Sequence, residues 1–252
     1  MSVYEDVIRL ALSVSKWTSD TFFLHDPAHS VIFTPDPKVG RICGTVFVIH
    51  GDQFGEGSAL DVFRVVRTIL TTVPVHVVCV SMSSSDPKHP LKHPEGSWRI
   101  RDTFERLNHI PKPLGFVGIS SGFWIGMHSR AYVPFEFGSG VAPVFNLLSE
   151  RRRHDEQIWN AQLRYFKDEH TMRFAMREFR LFRDLIMPIG LMVGYEDATT
   201  LDWLDEVEHL TSDQDKVYAF QMSGTHEELC LHSKRHETYL AGMLYSLMDC
   251  DF

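Results

Sequence analysis

Apolar residues recur along this chain in two rhythms. Over residues 1–20, Val3, Val7, Ile8, Leu10, Ala11 and Val14 keep a helical spacing, which predicts an N-terminal helix with one apolar face. "TFFLHD" and "HSVIFTP" are short runs separated by Pro27 and Ala28 and predict a pair of short strands. "GTVFVIHG" and "VPVHVVCVSM" differ from these because no polar position interrupts them. Such runs suit strands of a parallel sheet buried on both faces. "PLGFVGIS", "FEFGSGVAPVF", "IGLMVG" and "KVYAFQM" extend the series of strands. Between them "ALDVFRVVRTILTT", "SWRIRDTFERLNHI", "SGFWIGMHSRA" and "TLDWLDEVEHLT" have helical period. "ELCLHSKRHETYLAGMLYSLMD" predicts a single closing helix, with His232 and His236 on its solvent side.

Strands alternating with helices predict an α/β fold with a mostly parallel central sheet, helices on both faces and right-handed crossovers. The alternation breaks over residues 147–187, which read as helical without a strand and then return to the strand "IGLMVG". A helical cap inserted into a single domain spanning residues 1–252 accounts for this, with residues 1–20 as a helical extension. "SSSDPKHPLKHPEG" is rich in Ser, Pro and His and predicts a loop.

Composition narrows the function classes. The 252 residues are 44% hydrophobic and 23% charged, as in ordinary globular proteins. A net charge of -8 argues against a general nucleic-acid binder. The four cysteines, Cys43, Cys79, Cys230 and Cys250, form no C-x-x-C pair, so neither a zinc site nor a redox motif is expected. Cys43 and Cys79 lie in or beside apolar stretches and are expected as buried thiols. "MSVYEDVIRLALSVSKW" lacks the basic and apolar regions of a secretory signal, and no apolar run reaches the length of a membrane span. An intracellular, reducing setting is the expectation, with the cytoplasm as its default.

Candidate chemistry centres on "GISSG". A nucleophile at a sharp strand-to-helix turn needs small residues two positions away on each side, because the helix there runs close to the strand. Ser120 has Gly118 and Gly122 at those positions, whereas Ser121 has Ile119 and Phe123. Ser120 is therefore the candidate nucleophile, and the backbone N–H of Ser121 is a candidate oxyanion donor at the helix start. The alternative is a glycine-rich turn in which Ser120 only caps the helix. A serine hydroxyl needs a base. His226, in "KVYAFQMSGTHEEL", follows the last strand on a short loop, with Glu227 and Glu228 suited to a first helical turn. Asp197, in "GYED", is the candidate acid, Glu196 its rival on the same loop, and an N-cap its bland alternative. Each of the three follows a predicted strand, in the chain order Ser, Asp, His. "VFVIHGDQFG" places the N–H of Asp52, or of Gln53, as the second oxyanion donor, with Gly51 allowing close approach. His50 is expected to anchor that loop by hydrogen bonds.

"VFVIHG", "GFVGISSG", "VGYED" and "SGTHE" together resemble the α/β-hydrolase superfamily, of the capped kind, from about residue 21 to the C-terminus. The resemblance implies a serine hydrolase (esterase, lipase, thioesterase or amidase) acting through an acyl-enzyme, with no metal and no cofactor. A small, apolar acyl compound is the implied substrate. Asp52 departs from the apolar or glycine residue that relatives often carry there. The fold also hosts non-catalytic binding and scaffold proteins, which is the alternative from another class. Elsewhere, "HPLKHP" carries His89 and His93 at a metal-like spacing, but its two prolines favour a surface loop. Arg151, Arg152 and Arg153 read as a solvated helix face. The aromatic and methionine residues of the cap, such as Trp159, Phe174 and Phe182, are expected mainly to pack, and any that face the cleft would make an apolar acyl pocket.

Overall fold

Uninterrupted apolar runs need cover on both faces, and in the computed structural model they obtain it by pairing into one sheet between two layers of helix. The structure describes residues 22–26, 30–35, 37–51, 58–80, 82, 95–107, 109–144, 187–197, 216–230 and 234–248. The sheet has eight strands: β1 (Phe22–Asp26), β2 (Ser30–Phe33), β3 (Gly44–Ile49), β4 (Val75–Val80), β5 (Leu114–Ile119), β6 (Phe137–Val141), β7 (Ile189–Gly194) and β8 (Val217–Met222). Their order is β1-β2-β4-β3-β5-β6-β7-β8. β1 and β2 are antiparallel, β2 runs antiparallel to β4, and every pairing from β4 to β8 is parallel. The helices are α1 (Ser58–Thr72), α2 (Glu95–Arg106), α3 (Ser121–Ser129), α4 (His226–Cys230) and α5 (Lys234–Met248).

Alternation within each strand divides the core. On β3, Val46 and Val48 join the cluster built with Val65, Ile69, Leu240 and Leu244 of α1 and α5. Phe47 and Ile49, pointing the other way, join Ile100 of α2 and Phe123 and Met127 of α3. On β5, Val117 and Ile119 face the first layer, Leu114 and Phe116 the second. Successive strand side chains point to opposite faces, so a strand buried between two layers must be apolar at every position. The Phe116 ring is fully buried, with Phe135 and Phe123 centroids 5.2 Å and 5.9 Å away.

The structure also revises particular expectations. The strand in "FEFGSGVAPVF" ends at Val141, because Ala142 turns to a positive φ of 45° and Pro143 follows. The closing helix is not continuous: α4 and α5 are separate elements. His236 does not face solvent; it is 1% exposed on the apolar side of α5 with Leu240 and Leu244. Cys79 is buried and its thiol is pushed up above the usual range by burial, whereas Cys43 is only partly buried. The expected N-terminal helix, the 83–94 loop, the helix in "TLDWLDEVEHLT", residues 147–186 of the cap with its aromatic residues, Arg151 to Arg153, His232, and Cys250 lie outside the described residues. Among the described residues, no helix is long and apolar enough to cross a membrane.

Parallel pairing puts the C-terminal ends of β3, β5, β6, β7 and β8 on one edge of the sheet. The chain leaves β3 toward β4 in one direction and leaves β5 toward β6 in the other. Such a reversal opens a crevice at the strand ends, where α/β sheets bind their ligands. His50 and Gly51, after β3, and Ser120, after β5, stand at this edge of the sheet.

Candidate active site

Ser120 occupies the one-residue turn between β5 and α3, with φ 53° and ψ -126°. This is a costly conformation for a non-glycine residue, so the surroundings must hold it. They do so through the backbone. The Ser120 N–H donates to the Val141 carbonyl at 2.9 Å, and the Ser120 carbonyl accepts from Phe123 N at 3.1 Å and Val144 N at 3.1 Å. The positive-φ turn at Ala142 lets Val141 and Val144 reach the same residue from both sides. Neither Gly118 nor Gly122 has room for a side chain. A Cβ on Gly118 would overlap the Phe123 backbone, and one on Gly122 would overlap the Ile49 carbonyl oxygen.

The Ser120 side chain makes no capping hydrogen bond to α3. Its Oγ lies 3.0 Å from His226 Nε2 instead. His226 Nδ1 in turn lies 3.0 Å from Asp197 Oδ2. A carboxylate only accepts, so Nδ1 carries a proton; in the neutral form of the ring Nε2 accepts from the serine hydroxyl. Asp197 is 0% exposed at its side chain and His226 25%, so the carboxylate is sealed from water while the imidazole is partly accessible. Burial by itself disfavours the imidazolium. The hydrogen bond and charge of Asp197, joined by the Cys230 sulfur, outweigh that, and the His226 pKa is pushed up to about 10.

His226 lies at the first position of α4, not on a free loop. Thr225 caps this helix. Its Oγ1 accepts from Glu228 N at 3.3 Å, and Glu228 Oε2 accepts from Thr225 N at 2.9 Å. "THEE" is thus a capping box, a signal present in the sequence that pointed to a helix start at His226. Glu196, the rival acid, does not approach the histidine ring in this way; its Oε2 accepts the Gly224 N–H at 2.5 Å. Gly224 has φ +143°, and a Cβ on Gly194 would overlap the Gly224 carbonyl oxygen. These two glycines let the loops after β7 and β8 touch, which brings Asp197 to His226.

At the end of β3, His50 is 4% exposed and holds the loop as expected. Its Nε2 accepts from the Met82 N–H at 3.0 Å, and Nδ1 lies 2.9 Å from the Gly51 carbonyl. An accepting Nε2 makes this the neutral tautomer, protonated at Nδ1. Gly51 runs directly along the elbow: a Cβ there would come within 2.7 Å of Ser120 Cβ and 3.2 Å of Ser121 N. Ser121 opens α3 and is buried. Asp52 and Gln53, the expected second oxyanion donors, lie outside the described residues, as do His89 and His93.

No protein-family model and no curated protein sequence matches the chain. Solved structures do. An esterase from the archaeon Pyrobaculum calidifontis superposes with a TM-score of 0.62 at 14% identity, over 87% of this chain and 80% of that one. Est1E from Butyrivibrio proteoclasticus with ferulic acid bound gives 0.64 at 13% identity, over 88% and 95%. Carboxyl esterase 2 from the fungus Tuber melanosporum gives 0.58 at 13% identity, over 98% of both chains. The sheet order, the strained serine at the strand-to-helix turn and these superpositions agree: the chain has the α/β-hydrolase fold.

Proposed function

We propose that the chain is a serine hydrolase that cleaves carboxylic esters through an acyl-enzyme, with Ser120 as nucleophile, His226 as general base and acid, and Asp197 as the orienting carboxylate. The observation that carries this reading is the continuous hydrogen-bonded row from Asp197 Oδ2 through the imidazole of His226 to Ser120 Oγ. Neutral His226 takes the hydroxyl proton through Nε2 as Ser120 Oγ attacks the ester carbonyl. The buried carboxylate of Asp197 stabilises the imidazolium that forms. The oxyanion is held by the N–H of Ser121 and by that of Asp52, the residue after the close-packed Gly51 in the sequence. The imidazolium then gives its proton to the departing alkoxide, leaving Ser120 acylated. Water, deprotonated by the same nitrogen, attacks the acyl carbon and releases the acid and the free serine.

An ester is favoured over a thioester or amide because the structural neighbours named above are esterases. One of them holds ferulic acid, so aromatic acyl groups belong among the substrates to be tried. The test is labelling by a fluorophosphonate together with turnover of p-nitrophenyl esters of increasing chain length, an aromatic acyl ester, a thioester and an amide. Labelling of the wild type that disappears in Ser120→Ala, with ester turnover, supports the reading. A wild type that neither reacts nor turns over any of these points instead to a binding protein on the same fold.

A further inference from the structure

The residues that come immediately before His226 are held by carboxylates from two directions. Gly224 N–H donates to Glu196 Oε2, across from the loop after β7, and Thr225 N–H donates to Glu228 Oε2, from the first turn of α4. The two amides are consecutive and end at the candidate base. Beneath them, the buried His236 of α5 hydrogen-bonds the backbone of Ser223. Gly224, at φ +143°, is a conformationally permissive point in a loop that must place an imidazole between two partners. Without a fixed backbone there, the ring could rotate or slide away from either one.

We infer that Glu196 and Glu228 are positioning residues for His226, a two-carboxylate clamp on the Gly224 and Thr225 amides that keeps Nε2 on Ser120 and Nδ1 on Asp197. The inference rests on the serine hydrolase reading for its kinetic consequence, but the geometry of the clamp does not. Glu196 departs from the role of rival acid: it sits beside Asp197 in sequence and acts on the loop of the base. Both glutamates are exposed, so replacing either leaves the core packing intact. Their effect is local, on the placement of a ring for which a displacement of about 1 Å costs on the order of a hundredfold in rate.

The experiment compares Glu196→Ala, Glu228→Ala, Glu196→Gln and Glu228→Gln with Glu227→Ala, an exposed carboxylate on the same turn, as control. Each is read by kcat and KM on the best p-nitrophenyl ester, by the rate and end-point of fluorophosphonate labelling, by thermal melting, and by hydrogen exchange at the Gly224 and Thr225 amides. The clamp predicts a kcat about 10- to 100-fold lower in the alanine variants. It also predicts KM within about twofold, since ground-state binding is left intact. Labelling should be slower but reach the same end-point, and exchange at the two amides faster. The glutamine variants keep an acceptor oxygen and should recover most of the rate, and Glu227→Ala should match wild type. Alanine variants with wild-type kcat and unchanged amide exchange overturn the inference, as do glutamine variants as impaired as alanine. If an alanine variant does not fold, the glutamine variant and its amide exchange decide alone. A wild type that is never labelled but loses amide protection in the alanine variants refutes the hydrolase reading while leaving the clamp in place.

Discussion

Ser120 carries the strain of the site in a single residue, and its backbone partners bear that strain without help from its side chain. Ser120→Ala should therefore melt close to the wild type while losing about a million-fold in kcat, measured on the preferred ester. His226 gives a sharper handle. Only its neutral form can accept the serine proton, and Asp197 holds its pKa up to about 10 in the free protein. kcat/KM should thus rise with pH, with an inflection well above the ordinary imidazole value of 6.5. Asp197→Asn removes a raising partner and leaves burial opposed only by the Cys230 sulfur, so the inflection should move to lower pH while the rate falls about ten-thousand-fold. An inflection at the same pH in both proteins would mean that His226 is not the titrating base. At this scale the sequence narrowed the candidates: the glycines favoured Ser120 over Ser121, and position after a strand pointed to His226 and to the loop that holds both Asp197 and Glu196, which only the 3.0 Å contact to the His226 ring told apart. It did not disclose what Glu196 does, because a carboxylate bound to a backbone amide depends on a loop conformation that no side-chain pattern records.

At the scale of elements, the elbow depends on how closely α3 approaches β3 and β5. Gly118→Ala and Gly122→Ala would each press a methyl group into backbone, which cannot move aside as a flexible side chain can. Each should destabilise by about 3 kcal/mol or more, at the upper end for overpacking, as measured by urea unfolding. Phe116 fills the space beneath α3, where a Cβ on Gly126 would meet its ring at 2.5 Å. Phe116→Ala should cost about 3–5 kcal/mol by the same measurement. Element types were legible because burial repeats along the chain every two residues in half-buried strands, or not at all in fully covered ones, and at helical spacing on α1 and α5. Boundaries were less so. The capping box at Thr225 and Glu228 is visible in the letters, yet it competes with a helical pattern that continues past it. His236 stands four residues before Leu240 and was recoverable by extending the apolar face of α5 backwards.

For the whole molecule, the histidines set opposing pH limits on stability. His226 has a folded pKa raised above 6.5, so the folded state binds more protons than the unfolded one between 6.5 and about 10. Its pairing with Asp197 contributes stability that is present below 6.5 and lost as pH rises through that window. His76 and His236 have folded pKa values lowered, first of all by burial. There the unfolded state binds more protons, so stability is lost as pH falls below 6.5. Unfolding free energy measured across pH should therefore decline on both sides of that value. His226→Gln should flatten the alkaline side and leave the acid side in place; an alkaline decline unchanged in that variant would locate its origin elsewhere.

The alternation of strands and helices, the coverage of the sheet on both faces, and the candidacy of Ser120, of His226 and of Asp197 with Glu196 as its rival came from the sequence alone. These follow from local quantities: the period of burial and the size of neighbours two residues away. The tertiary structure decided the rest. It set the strand order, the positive φ of Ser120, the burial of Asp197, and the 3.0 Å contacts that join residues 106 and 29 positions apart. Such distances depend on sheet register and on loops tied backbone to backbone, and a linear pattern of side chains carries neither.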